Sequence, residues 1–336
     1  MTGIGIIGAG GVAGAHLRAI SQHRQAKALC LADIQLSKAR SLADRYGISP
    51  VTDDPNEILL NPAIDAVIIA LPTFLHCEWL LRCARAGKDV LTEKPLCRTV
   101  AEGKRVLRTC ARNDVRLAVG YMRRFSPARL KVRSLVRAGA LGRPVSWQIA
   151  SFGPRLDYYR GPGNWMWDRR KGGGYIMDGS IHDFDFACWT LGQPTRMFAQ
   201  SSRITDAATA PTQAHAHVTF EDGDRLAYSG AWQEDDTSPS QRSARIIGPE
   251  GTITLDSDYE FTWHRPGGKE RHFEWSPARL RPSGMGGAWL FYRQLDSFVR
   301  KKKDVSLARG QDSLASLWMA EKIIDAGPDG RLFNYR

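Results

Sequence analysis

The chain has 336 residues, 43% of them hydrophobic and 24% charged, a length that fits two domains and a composition typical of a water-soluble globular protein. Its net charge of +12 is spread along the whole chain. The longest basic run is "RKKK" at 300–303 and no nucleic-acid-binding signature accompanies it, so the surplus reads as a solvated, arginine-rich surface with no specific nucleic-acid partner.

No apolar run reaches the roughly 20 residues needed to cross a bilayer, so no membrane partner is expected. The opening "GIGIIGAGG" lacks a basic leader and reads as a first strand rather than a signal peptide. Cysteines stand at 30, 77, 83, 97, 110 and 188, and none forms a Cys-x-x-Cys pair. That pattern predicts free thiols in a reducing, cytoplasmic setting.

In chain order, apolar runs at 3–8, 26–33, 65–71, 88–93 and 115–121 are rich in Val, Ile, Leu and Ala, as strands buried on both faces should be. Helical patterns occupy 11–23, 35–46, 74–87 and 99–112, and Gly47 and Gly87 each follow one, where a left-handed end cap belongs. This alternation predicts an α/β fold: a Rossmann, doubly wound parallel sheet over residues 1–121. Beyond it the rhythm changes. A helix is expected over 125–138. Alternating runs follow at 143–152, 197–204, 214–220, 225–232, 243–248 and 251–256, with turn signals such as "EDGD" and "GPEG". Residues 122–336 should therefore form an α+β domain with a large, mostly antiparallel open sheet. Helices near 174–191, 286–302 and 311–326 would cover one face, and the last could return to the first domain. The irregular stretch 153–173 is well placed to line a site.

"GAGGVAG" at 8–14 follows the first strand and opens the first helix, matching G-x-G-x-x-G/A through Gly8, Gly10 and Ala13. The first Gly permits the tight turn, the second admits a pyrophosphate, and the third position must be small for helix–strand packing. Gly11 and Val12 complete the turn, and the helix N-terminus faces the anion. Asp33 ends the second strand. An acid there can accept hydrogen bonds from ribose hydroxyls and repels a 2′-phosphate, which favours NAD over NADP. A capping role for Asp33, and a phosphate reached by Lys38 or Arg40, are the alternatives.

"TEKPL" at 92–96 resembles the signature of the glucose–fructose oxidoreductase, inositol dehydrogenase and rhizopine-catabolism (Gfo/Idh/MocA) family. "LPTFLHCEWLLRCARAGKDVLTEKPL" (71–96), "GYMRRFSP" (120–127) and "NWMWDRRKGGGYIMDGSIHDFD" (164–185) resemble further elements of that family in the same order. "IHDFD" is most similar to its inositol and sugar dehydrogenase branches. The resemblance implies a Rossmann domain, a second domain whose open sheet joins a homodimer or homotetramer, and a nicotinamide between the domains. It also implies cofactor contacts from Leu71, Pro72, Thr73, His76, Glu93 and Lys94, and a cis bond before Pro95. Ser180 departs from the pattern, since many relatives carry Gly there, and could alter the shape offered to substrate.

Moving a hydride from a secondary alcohol to NAD needs a base for the hydroxyl proton and a cation near the developing alkoxide. Lys94 lies just past a strand's carboxyl end and suits the second role. A surface lysine or a pairing with Glu93 is the alternative. His182 suits the first, because its pKa starts near neutrality. Asp178, four residues earlier on an expected helix, shares its face and can orient it, and Asp185 continues the stripe. Asp183 points elsewhere. A helix-start cluster of cap and core residues is the other reading of the same stretch.

For a polyol, Arg123, Arg124, Tyr158 and Asp168 are candidate contacts, and only one of the two adjoining arginines should face the cleft. Trp165 and Trp167 could stack on a sugar ring or belong to the core. His76 could line the nicotinamide pocket or cap a helix. His215 and His217 share a strand face without a third ligand, and no catalytic metal is expected. The leading reading is an NAD-dependent dehydrogenase of a cyclic polyol or sugar. Two others compete with it: a relative that keeps NAD bound for sugar chemistry without net redox, and a non-catalytic Rossmann-type sensor.

Overall fold

Six short runs, each bounded by a turn, pair in parallel at the start of the chain. They are β1 (Thr2–Ile7), β2 (Ala26–Ala32), β3 (Val51–Thr52), β4 (Ala66–Ile69), β5 (Asp89–Thr92) and β6 (Leu117–Val119). The strand order is β3-β2-β1-β4-β5-β6, the doubly wound order of dinucleotide-binding sheets. The connecting helices are α1 (Ala13–Ser21), α2 (Leu36–Asp44), α3 (Asn56–Leu60), α4 (Thr73–Arg85) and α5 (Val100–Arg112). The computed structural model describes residues 1–154, 164–206, 208–233, 240–280, 285–301 and 303–335. Tyr158 lies outside them.

The chain divides into two compact units, one formed by Met1–Phe125 with Ala278–Leu314, the other by Ser126–Pro277 with Ala315–Arg336. The core of the first gathers Ile4, Ile6, Leu17, Ile68, Leu91 and Phe298, all 1% exposed or less. Gly47 and Gly87 take φ of 63° and 70°, the left-handed ends their positions predict. The two-residue β3 and five-residue α3 escape the sequence pattern because each is too short to show a period.

The second unit starts with α6 (Pro127–Arg137), with Ser126 capping the Arg129 amide. β7 (Ser146–Pro154) follows. Where the sequence predicts one helix over 174–191, the structure holds a π-helical turn over Ile176–Ser180 and then α7 (Ile181–Leu191). Gly173 and Gly174, at φ 76° and 70°, keep the first residues out of any right-handed helix. Next come β8 (Pro194–Ser202), β9 (Gln213–Phe220), β10 (Arg225–Gln233), β11 (Gln241–Gly248), β12 (Gly251–Ser257), β13 (Glu260–Arg265) and β14 (Lys269–Glu274). The four-residue α8 (Pro277–Leu280) ends this stretch. α9 (Trp289–Val299) belongs to the first unit, and α10 (Leu314–Ala326) and β15 (Arg331–Asn334) close the chain.

Nine strands form one sheet in the order β14-β13-β12-β11-β7-β10-β9-β8-β15. All neighbours are antiparallel except β7 and β10. The strands missing from the sequence reading, β13, β14 and β15, sit at or next to the edges. There "KERHFE" is exposed along nearly its whole length, so the two-residue alternation that marks a half-buried strand is absent. Alternation is strong in β9, where every second residue is buried. No helix among the described residues is long and apolar enough to cross a membrane.

Trp147 of β7 is fully buried and meets Phe186 of α7 edge-on, with ring centroids 4.9 Å apart. Trp147→Ala should therefore destabilise the second unit by about 3–5 kcal/mol, read as a shifted urea midpoint of its tryptophan or circular-dichroism transition.

Candidate active site

The glycine turn follows from sterics. Gly8 has φ +104°, and a Cβ there would lie 2.3 Å from the Ala70 carbonyl oxygen. Any other residue at this position collides with the end of β4. Outward, the turn is open: a Cβ at Gly10 meets only Ala70 O at 3.9 Å, and one at Gly11 meets nothing within 4 Å. Val12 caps α1 with no side-chain bond to its amides. A cavity of about 460 Å³ adjoins the turn, lined by Gly10, Gly11, Ser37, Lys38, Ser41 and Arg45 among others. An unobstructed glycine turn, an uncapped helix start and an adjacent polar cavity fit a dinucleotide. Ser37, Ser41 and Arg45 were missed in the sequence, although with Lys38 their spacing of three and four already places them on one face of α2.

Asp33 ties this site together. Its carboxylate accepts the Ala9 amide at 2.7 Å and the Gln35 amide at 2.8 Å. It is not the N-cap of α2, because Gln35 holds that position. A carboxylate offers about four acceptor sites, so the two amides leave capacity for a ribose.

The segment after β5 is gripped from several sides. The Glu93 amide donates to Ile69 O at 2.9 Å. One Glu93 carboxylate oxygen pairs with His16 Nε2 of α1 at 2.7 Å, and the other accepts the Lys94 amide at 3.3 Å. A Cβ on Gly120 would come within 3.0 Å of Glu93, so that glycine allows the close approach. The Lys94–Pro95 bond is cis, as the resemblance implies. His76, 1% exposed, sits between two carbonyls, with Nδ1 2.7 Å from Pro95 O and Nε2 2.9 Å from Leu71 O, and as a neutral imidazole donates to one of them. It neither caps a helix nor points at solvent, but clamps the segments that follow β4 and β5. Burial pushes its pKa down, opposed by the Leu71 and Pro95 carbonyls and by Glu93, while Lys94 adds to the fall. His16 was missed in the sequence. Its signal was a polar residue on the otherwise apolar face of α1. Thr73 is buried, while Leu71, Pro72 and Lys94 are half-buried.

Arg123 and Arg124 lie in a 3-10 turn over Met122–Phe125. Arg124 is 3% exposed, with its guanidinium 5.8 Å from the Tyr121 ring centroid, and Arg123 is half-buried. The two side chains differ in setting, as their adjacency predicts.

In the second unit, Trp165 and Trp167 form a 3-10 turn capped by Asn164. Trp167 is core, meeting Trp232 edge-on at 5.4 Å, while Trp165 is half-buried. Asp168 organises the glycine run. Its carbonyl accepts the amides of Lys171, Gly172 and Gly173, and its carboxylate accepts the Arg170 amide at 2.6 Å. Asp178 and His182 are both half-buried, on the π-helical turn and the first turn of α7, whereas Asp185 is 2% exposed. Asp183 is 4% exposed and ion-paired with Arg242 of β11, which gives the acid outside the stripe a structural partner. Ser180 is fully buried and hydrogen-bonded to Tyr228 at 2.5 Å. Its hydroxyl faces a buried tyrosine, so the expectation that it shapes the substrate surface is not met. His215 hydrogen-bonds Gln213 and Ser229 on the sheet surface.

A Rossmann sheet with an open glycine turn, followed by an α+β domain, defines the class as a two-domain dinucleotide-binding protein. Two family models agree: an oxidoreductase family with an NAD-binding Rossmann fold over residues 2–121, and a GFO/IDH/MocA C-terminal domain over 130–254. The chain belongs to the Gfo/Idh/MocA family and is an NAD-dependent oxidoreductase. Among its relatives is an uncharacterised oxidoreductase, YrbE, of Bacillus subtilis, 34% identical over 75% of this chain and 73% of its own. A scyllo-inositol 2-dehydrogenase (NAD(+)) of the same organism is 31% identical over 68% of this chain and 66% of its own. A levoglucosan dehydrogenase solved with NADH superposes with a TM-score of 0.84 over 96% of each chain at 21% identity, which establishes the shared fold.

Two outcomes follow. Gly8→Ala should weaken NAD binding at least about tenfold, measured by calorimetry, whereas Gly47→Ala, remote from the turn, should leave it unchanged. An imidazole in the unfolded chain titrates near about 6.5. Because folding lowers the His76 pKa, the folded state binds fewer protons below that pH. Stability should fall as pH drops through about 6.5, and His76→Gln should flatten that part of the urea-midpoint profile.

Proposed function

We propose that the enzyme oxidises a secondary hydroxyl of a cyclic polyol or sugar, with Lys94, Asp178 and His182 as its catalytic set. The observation that carries this reading is the half-buried placement of Asp178 and His182 on consecutive turns. In the first unit, the backbone of Lys94 is gripped through Glu93 and Pro95, which supports its part in the set. The inositol dehydrogenase among the relatives supports the substrate class, as does the levoglucosan dehydrogenase that shares the fold.

NAD, when bound, supplies the hydride acceptor. Gly8, Gly10, Gly11, Val12 and Ala13 would hold its pyrophosphate and Asp33 its ribose. Leu71, Pro72, Thr73, His76 and Glu93 would border the nicotinamide end. His182 takes the hydroxyl proton on its imidazole. Asp178 orients that ring and stabilises the imidazolium once formed. Lys94 donates from its ammonium to the oxygen as negative charge grows there. Arg123, Trp165, Asp168 and Asp185 contribute polar and ring contacts to the polyol, and Arg124 supports them from its buried position.

Two further points belong to this reading. Copies of the chain associate through the nine-stranded sheet. In support, Phe198 and Leu332, paired across β8 and β15, are 41% and 58% exposed. The enzyme works in the cytoplasm, which the six free, buried cysteines suit.

The test is an NAD and NADP reduction screen over inositols, aldoses and anhydrosugars. We expect NADH formation with at least one cyclic polyol or sugar. Lys94→Ala and His182→Ala should each lower kcat by about a hundredfold or more while NAD affinity is kept. Tight NAD binding without turnover of any member, or near-full activity in either variant, contradicts the assignment.

A further inference from the structure

Cys77 lies on α4 one residue beyond the His76 clamp, and Cys97 lies two residues beyond Pro95, the partner of that clamp. The same hydrogen bond that joins these segments brings the two thiols together. Their sulfurs and a carboxylate oxygen of Glu102 all lie within 4.8 Å of one another. A side-chain hydrogen bond links the Cys77 and Cys97 thiols. The guanidinium of Arg105, from α5, donates a second one to the Cys77 sulfur at 3.1 Å. Cys77 is 5% exposed and Cys97 fully buried, but Arg105 is exposed, so the Cys77 sulfur lies one side chain from solvent.

The pair has the chemistry of a reactive thiol with a resolving partner. The Cys97 hydrogen bond and the Arg105 charge hold the Cys77 thiol below the ordinary thiol range, against the opposing effect of burial. Cys97 is pushed up by the same bond. Burial drives Cys30, Cys83 and Cys110 upward instead, Cys83 to about 12 and Cys110 to about 11. Thiolate character beside a cation is what distinguishes reactive cysteines from inert ones. A metal is the poorer reading of the same three donors. Glu102 already accepts the Arg98 amide while Thr99 caps its own, and a cation would have to displace Arg105 from the sulfur.

We propose that Cys77 and Cys97 form a peroxide-responsive switch that closes reversibly to a disulfide. The Cys77 thiolate attacks the O–O bond of a hydroperoxide, taking one oxygen as a sulfenic acid. The other oxygen leaves with a proton as water or alcohol. The Cys97 sulfur then attacks the Cys77 sulfur, an S–S bond forms, and the sulfenic oxygen leaves as water with the Cys97 proton. The two thiols lose two electrons and the peroxide gains them. The bond ties α4 to the segment that carries Lys94, and a dithiol reopens it.

The test is peptide mapping of the full chain after one equivalent of hydrogen peroxide, without and with later dithiothreitol. We expect one Cys77–Cys97 disulfide, lighter by two hydrogens, that dithiothreitol removes. Cys97→Ser should accumulate a dimedone-reactive Cys77, and Arg105→Gln should slow oxidation at least about threefold. Oxidation of Cys83 or Cys110 at the same rate as Cys77 overturns the proposal. So does a lack of any Cys77–Cys97 bond in the wild-type chain, or stoichiometric zinc on the pair in protein purified without added metal. None of these readouts depends on catalytic turnover.

Discussion

The buried contact between His16 and Glu93 is the interaction on which the candidate site of the first unit depends. It joins the helix that follows the glycine turn to the strand end that carries Lys94, at 2.7 Å and almost out of water. Removing one partner of such a contact leaves a polar group buried without compensation, which costs about 1–3 kcal/mol. The geometry explains why Gly120 must be small and why Glu93, Lys94 and Pro95 act as one unit. Glu93 is anchored by side chain and backbone, and His76 anchors Pro95. Lys94, between them, has little freedom in its backbone. The cationic role we propose for Lys94 needs a backbone held in this way, because positioning energy then comes from residues that never touch substrate.

The second unit uses the opposite device. Its candidate site residues stand on an irregular stretch, where two left-handed glycines and a π-helical turn precede α7. Such turns are frequent at functional sites. Here the irregularity is held by buried polar contacts: Ser180 with Tyr228, Tyr175 with the Ser151 carbonyl at 3.0 Å, and Asp183 with Arg242. These contacts fasten the helix to the sheet, and Asp178 and His182 are left half-buried between them.

Much of this was legible in the sequence, and for physical reasons. Strands buried on both faces show as unbroken apolar runs, and glycines that close helices stand at fixed offsets, so all of the Rossmann half but the short β3 and α3 could be drawn in order. The glycine turn was visible because a pyrophosphate limits which residue types can serve, and Lys94, Asp178 and His182 stood out as candidates for the same kind of reason. The supporting contacts were not. His16 with Glu93 spans 77 positions and Asp183 with Arg242 spans 59, and no local pattern announces either pairing. The inward direction of Ser180 and the burial of Asp185 depend on the phase of a helix whose first turn is not α-helical. The edge strands β13, β14 and β15 were hidden because exposed, charged strands lack the period that reveals buried ones.

The central proposal is that Lys94 and His182 act on a single hydroxyl. It is tested most directly by a crystal structure of the chain with NADH and a turned-over cyclic polyol. The account predicts that the Lys94 ammonium and the His182 imidazole both lie within hydrogen-bonding distance of the same substrate oxygen, with Asp178 on the imidazole. A substrate bound without Lys94, or a His182 that reaches only protein groups in that complex, would contradict it.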